Sequence, residues 1–195
     1  MQSENTQSSE QYNNFEHKLL AFLTALCLFF SAVELVIPKP FPFLRLGLAN
    51  LPVILSLFFL SAPQFFLLIL LKIFVQNLIS GTIFSYTILF SIAGSTASAL
   101  IMFLLYKLFY NKNLISIIGI STAGALFNSL AQLGISYLCI FNENTKYIAP
   151  IFLASSFITG ILLGIAVTIF TKHSQWFSKI TSQISQTKNH IGETK

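Results

Sequence analysis

Residues 63–80 read PQFFLLILLKIFVQNLIS, eighteen positions in which one charge, Lys72, sits among leucine, isoleucine and phenylalanine. A helix needs about 20 apolar residues to cross the hydrocarbon core of a bilayer, somewhat fewer when neighbouring helices sheath it. The stretch therefore predicts a membrane span with a lysine and two amides, Gln76 and Asn77, built into it. The rest of the chain agrees. Of its 195 residues 54% are hydrophobic and 9% charged, with a mean hydropathy of +0.76, whereas about a quarter of a soluble domain is charged.

The same ruler finds six segments, roughly 19–37, 47–61, 63–80, 84–109, 114–141 and 147–171, the second too short to span comfortably. The expected fold is an all-α membrane protein of about six transmembrane helices in one compact bundle. The breaks between segments have chemical causes. Pro38, Pro40 and Pro42 stop the first helix, Ser61-Ala62-Pro63 marks a tight turn, and Gly81-Thr82, Tyr110 to Asn113 and Asn142 to Thr145 are turn formers. Around the membrane domain, residues 19–171, lie a polar N-terminal segment, 1–18, and a polar, loosely ordered tail, 172–195. The N-terminal segment lacks the basic start of a secretory signal, and the run after it is too long for a signal core, so that run is read as a retained first span.

Orientation follows from the basic residues at the segment ends. With the N-terminus inside, Lys18, Lys107, Lys112, Lys172, Lys179, Lys188 and Lys195 are cytoplasmic, while Lys39, Arg45 and Lys146 are external. Seven against three obeys the positive-inside rule, which predicts a multi-pass protein of the cytoplasmic membrane with both termini in the cytoplasm. The net charge of +5 forms no basic face or run, and most of it borders apolar segments as at a headgroup surface. Lipid is the partner this distribution predicts, and nucleic acid is not. Cys27 and Cys139 each fall inside an apolar run and are expected to be small buried hydrophobes.

A charge at the centre of a spanning helix costs about 2.5–3.5 kcal/mol on insertion scales, so one that persists there usually has a function and a partner. Glu34 lies about one turn from the outer end of segment 1, and Lys72 about two turns from the outer end of segment 3. The difference in depth is about 5 Å, within reach of a lysine stem, so the two are expected to pair or to share a ligand. Uncharged polar groups recur at this depth. Gln76 and Asn77 follow Lys72, Ser91 is about two turns into segment 4, Asn50 starts segment 2, and Asn128, Gln132 and Ser136 form an i, i+4, i+8 stripe in segment 5. The inner halves carry mainly small hydroxyl residues that can bond back to their own helix. This distribution predicts a polar pocket towards the outer leaflet, for a small-molecule substrate, built from Glu34, Asn50, Lys72, Gln76, Asn77, Ser91, Asn128 and Gln132. Structural readings stand beside it: an ion pair for Glu34 and Lys72, interhelical hydrogen bonds for Asn128 and Gln132, interfacial anchoring for Lys39 and Arg45.

The connector IPKPFPFLRLGLAN, residues 37–50, follows Glu34 and leads into Asn50. Its prolines restrict the backbone and Gly47 lets it turn, so it is expected to cap the pocket, with Arg45 touching the ligand. Small-xxx-small pairs, Ala21 and Ala25, Gly94 and Ser98, and Gly160 and Gly164, predict close helix approach. Enzyme chemistry has no foothold in the motifs. The chain contains no aspartate, and it has no P-loop, no Cys/His cluster and no Ser/His/Asp arrangement, so no catalytic residue, metal or cofactor is expected.

Residues Glu34 to Asn50, ELVIPKPFPFLRLGLAN, resemble the signature of the Gx transporter family, also called heptaprenyl diphosphate synthase component I. Lys72, the Ser91-Ile92-Ala93-Gly94 segment, Gly119-Ile120-Ser121, Gly124-Ala125, Asn128 and Gln132 add to the resemblance, which covers about residues 19 to 170. Two positions depart from the pattern: the family commonly has arginine where this chain has Lys72, and histidine where it has Phe127. In length and helix layout the family is similar to the substrate-binding S components of energy-coupling factor transporters. That likeness implies an outward pocket covered by the loop after helix 1. It also implies that Ala21 and Ala25 contact a coupling transmembrane subunit, which recruits two ATPase subunits. The expected function is thus a substrate-binding membrane subunit for uptake of a small polar molecule. The family's other name implies an alternative, a non-catalytic membrane component associated with prenyl diphosphate or quinone synthesis.

Overall fold

A computed structural model of the chain describes residues 2–36, 47–110, 114–141, 145–175, 177, 179, 180 and 182. The connector 37–46, with Lys39 and Arg45, lies outside the described residues. The helices are α1 (Gln2–Val36), α2 (Asn50–Phe59), α3 (Ala62–Ile79), α4 (Thr87–Phe109), α5 (Ile117–Ser136) and α6 (Thr145–His173), with a π-helical turn, Tyr137–Phe141, extending α5. Among the described residues there are no strands, and five helices are long and apolar enough to cross a membrane. The first of these crossings is Phe15–Val36, so the polar opening stretch continues into the span as one helix.

The exception is α2, whose ten residues extend about 15 Å, half the hydrocarbon thickness. It touches α1, α3, α4 and α6, and Asn50, Pro52 to Leu57 and Phe59 are all buried. A helix that is apolar on every side belongs in the interior, where protein rather than lipid surrounds it. Its short length is compatible with that place.

Local chemistry sets where the other helices begin and end. Pro63 stands in the first turn of α3, where a missing N–H costs nothing. At its other end Gly81 adopts φ +65°. The amides of Gly81 and Thr82 return to the carbonyls of Leu78 and Asn77 at 3.1 and 2.9 Å, the double bond of a Schellman cap. The Ser116 hydroxyl caps α5 by accepting from the Gly119 amide at 3.2 Å.

Helices α4, α5 and α6 pack through small residues. A Cβ on Gly160 would lie 2.8 Å from Thr122 Cα, and one on Gly164 2.6 Å from Ile118 Cα. Only hydrogen fits at these two positions, because the obstacle is backbone. The Ser121 hydroxyl donates across the same seam to the Gly160 carbonyl at 2.8 Å. Ala21 and Ala25, by contrast, are exposed on the outer side of α1.

Two expectations need correction. Cys27 is fully buried, but Cys139 is exposed on the π-helical turn, because the helix face there turns away from the bundle. Nor is the described part of the tail loose. Ile180 is buried in the main core, and the Phe177 ring packs on Phe58 and Phe59 with centroids 5.8 and 4.9 Å apart. These apolar contacts dock the segment under the end of α2.

Candidate functional site

Helix α3 divides its residues by face. Leu70 and Phe74 are 64% and 60% exposed, whereas Leu68, Lys72 and Gln76, one turn apart, are buried at 0%, 4% and 6%. The lysine of the opening stretch therefore points into the bundle. At that level α2 begins with Asn50, α4 presents Ser91 and Ser95 four residues apart, and α5 presents Asn128 and Gln132 four residues apart.

These side chains converge. Asn50, Lys72, Gln76, Ser91, Ser95, Asn128 and Gln132, together with Gly47 and Ala49, line one cavity of about 10 Å³, enough for about one water molecule. Lys72 Nζ donates to Asn50 Oδ1, tying the start of α2 to the middle of α3. Gln132 Nε2 donates to Asn128 Oδ1 at 3.1 Å. Gly94 lies beneath this amide pair, where a Cβ would collide with Asn128 Oδ1 and come within 3.0 Å of Gln132 Nε2. Its missing side chain is the space the Asn128 amide occupies.

Asn77 stands one step behind the cavity wall. Its Oδ1 accepts from Ser91 Oγ at 2.9 Å and from Thr82 Oγ1 at 3.0 Å, and its Nδ2 donates to the Ile73 carbonyl at 2.7 Å. It aligns α3, the capped turn and α4, and so orients Ser91. Glu34 is buried on α1 at 1% exposure but is not among the side chains lining the cavity. Arg45 lies outside the described residues.

Sequence reasoning missed three lining residues. Ser95 could have been found four positions after Ser91, on the same helix face. Gly47 takes φ +81°, a left-handed conformation natural to glycine, and turns the chain into α2. Ala49 adds no polar side chain, and its carbonyl accepts from the buried Cys27 thiol at 3.6 Å. No residue-type pattern marks such a position.

The lining is an ammonium, four carboxamides and two hydroxyls, a set that donates and accepts hydrogen bonds and carries one positive charge. Among the described residues no group of three or more His, Cys, Asp or Glu could hold a metal ion.

A sequence model of the family described as heptaprenyl diphosphate synthase component I matches residues 23–170, from the first span almost to the end of α6. No curated protein and no solved structure matches the chain.

Proposed function

This multi-pass membrane protein belongs to the heptaprenyl diphosphate synthase component I family, and from that premise we propose that it is the solute-binding subunit of an uptake system. One observation carries the reading. Polar side chains from α2, α3, α4 and α5 meet around a buried lysine in an otherwise apolar bundle, an arrangement costly to keep in a membrane for packing alone. The cavity is contracted, so a solute larger than water enters only as α2 and its neighbours separate.

In this reading the protein lies in the cytoplasmic membrane with both termini inside. A coupling transmembrane subunit and two ATPase subunits supply the energy, and the exposed Ala21 and Ala25 on α1 offer the close-approach surface for the coupling subunit. The test combines two measurements on protein taken from its native membrane. Mass spectrometry identifies co-purifying small molecules and ATPase subunits, and equilibrium binding of the released small molecule is repeated on Lys72→Ala. A saturable ligand whose affinity falls in the variant supports the proposal. No ligand, or an affinity unmoved by the variant, overturns it.

The family's name carries a second reading, a non-catalytic membrane partner of a prenyl diphosphate synthase. With no aspartate in the chain, the residues that usually hold magnesium on a diphosphate would belong to the partner. Prenyl synthase activity that co-purifies with the protein, and is lost on its removal, would favour this reading.

A further inference from the structure

The grip on α2 differs between its two ends. At its start the Ala49 carbonyl accepts from the Cys27 thiol of α1 at 3.6 Å, and Asn50 accepts from Lys72 of α3. At its far end the contacts are aromatic. The Phe58 ring stands edge-on to Tyr106 of α4 and to Tyr110 just after it, with centroids 5.5 and 5.4 Å apart. It also meets Phe177 at 5.8 Å, and Phe59 tilts against the same Phe177 ring at 4.9 Å. Along the middle, Val53, Ile54, Leu55 and Leu57 are buried in the apolar core, and the Ser56 hydroxyl returns to the Val53 carbonyl of its own helix at 2.6 Å. Apolar flanks hold a helix by area rather than by direction, so packed helices can slide past one another in small shear motions. The position of α2 is therefore set at its ends.

We propose that the segment after α6 is a strap that seats α2: undocking Phe177 and Ile180 from the end of that helix loosens the Ala49 and Asn50 contacts at its start and opens the cavity. The coupling holds whatever the cavity takes up, so it goes beyond the solute-binding proposal.

The helix is too short to absorb a displacement. Its ten residues rise about 15 Å, and its proline, Pro52, lies in the first turn, where it does not kink the helix. Pivots stand on both sides. Gly47 takes φ +81° before it, and Ser61 is extended, with ψ 158°, after it. A shift of Phe58 and Phe59 is thus carried to Asn50 as a tilt or slide of the whole helix.

The strap is separable from the bundle. Helix α6 ends at His173, and Ser174 is not helical. Beyond it Gln175, Lys179 and Ser182 are exposed, Phe177 is half-buried, and Ile180 lies in the core cluster that contains Leu57 and Phe59. A short segment docked on one edge of a core opens at less cost than the spanning helices do. It docks at the end of α2 opposite the cavity, so whatever takes hold of it acts on the cavity from the other side of the bundle.

The test reads the start of α2 while its end is changed. The full chain with Cys139→Ser keeps Cys27 as its one thiol and is reconstituted in nanodiscs. Cys27 is fully buried, and such a thiol is inert until the structure around it opens. Its rate of modification by N-ethylmaleimide is expected to rise about tenfold in Phe177→Ala, the loss of two aromatic contacts expressed as a population, with Phe177→Leu intermediate. Phe152→Ala controls for general loosening. Phe152 is deeply buried but belongs to a separate cluster with Leu133, so its loss should leave the Cys27 rate near that of the parent.

Coupling of this kind is reciprocal. Asn50→Ala, made with the strap intact, is expected to speed tryptic cleavage after the exposed Lys179, and Phe152→Ala is not. A Cys27 rate unmoved by Phe177→Ala, or raised as much by Phe152→Ala, overturns the inference. So does cleavage after Lys179 that Asn50→Ala leaves unchanged. Should Phe177→Ala fail to fold, the Asn50→Ala measurement decides alone.

Discussion

The ammonium of Lys72 on α3 donates to the carboxamide oxygen of Asn50, 22 positions earlier in the chain and the first residue of α2. The contact fixes a short central helix against a spanning one at the level where the polar groups gather. Replacing the acceptor with Asn50→Ala is expected to lower stability by about 1–2 kcal/mol, and Asn50→Asp to restore it. Denaturation of the reconstituted protein checks this, and an unchanged Asn50→Ala would show that the bond carries no weight.

Gly94→Ala is expected to disturb the site directly. The new methyl would occupy the position of Asn128 Oδ1, forcing that amide and its bond to Gln132 to move, at a cost of about 1–3 kcal/mol. Gly134→Ala on α5 is the control, since a Cβ there meets nothing within 4 Å and gains helix propensity of up to about 1 kcal/mol. Parallel unfolding curves should move in opposite directions or leave Gly134→Ala unmoved. Equal losses would refute the packing argument.

The seam between α5 and α6 should be more sensitive to a methyl than to the loss of a hydrogen bond. Gly164→Ala sets a carbon against the Ile118 backbone, 2.6 Å away, which no side-chain rotation relieves. Ser121→Ala removes one bond to the Gly160 carbonyl, worth about 0.6 kcal/mol within a membrane. Comparing the two midpoints in the same lipid tests the ranking, and a larger loss in Ser121→Ala would reverse it.

Phe177→Ala should release the segment that follows α6. Its ring contacts with Phe58 and Phe59 are each worth about 0.5–1.5 kcal/mol beyond the area they bury. Limited proteolysis should then cleave near residue 177 sooner, with Phe177→Leu intermediate. Identical cleavage rates would mean that the docking adds nothing.

Orientation can be read with the two native cysteines. With both termini inside, the exposed Cys139 lies towards the outer face, so a membrane-impermeant maleimide should label intact cells, and Cys139→Ser should abolish the signal. Cys27, fully buried, should stay unlabelled. Labelling confined to inside-out vesicles would reverse the topology.

Much of this architecture was legible in one dimension because a bilayer imposes a one-dimensional rule. Each span needs enough consecutive apolar residues, and each break needs residues that satisfy or interrupt the backbone. The turn at Gly81 and the start of α3 at Ser61-Ala62-Pro63 were readable for that reason. The polar groups of the site were legible through cost: Lys72, Gln76, Asn128 and Gln132 sit where an amide or charge is expensive. Ser95 was left out of the site because a small hydroxyl carries little such cost, and Gly94 was read for helix packing rather than for the room it leaves the Asn128 amide. The docking of Phe177 and Ile180 was missed because a few apolar residues scattered among polar ones leave only a faint hydropathy signal.

The amino-acid order alone makes this chain a bundle of membrane helices and picks out which residues are polar at mid-depth, because burial in hydrocarbon penalises each residue independently of its neighbours. Tertiary packing was needed to place α2 inside the bundle, to bring Lys72 to Asn50, to set Asn77 behind Ser91, and to leave Glu34 out of the side chains that line the cavity. Periodicity assigns a residue to a face of its own helix, but which helix that face meets is settled by close packing at Gly160 and Gly164 against backbone and at Gly94 against the Asn128 amide, a property shared by pairs of helices and written in neither one alone.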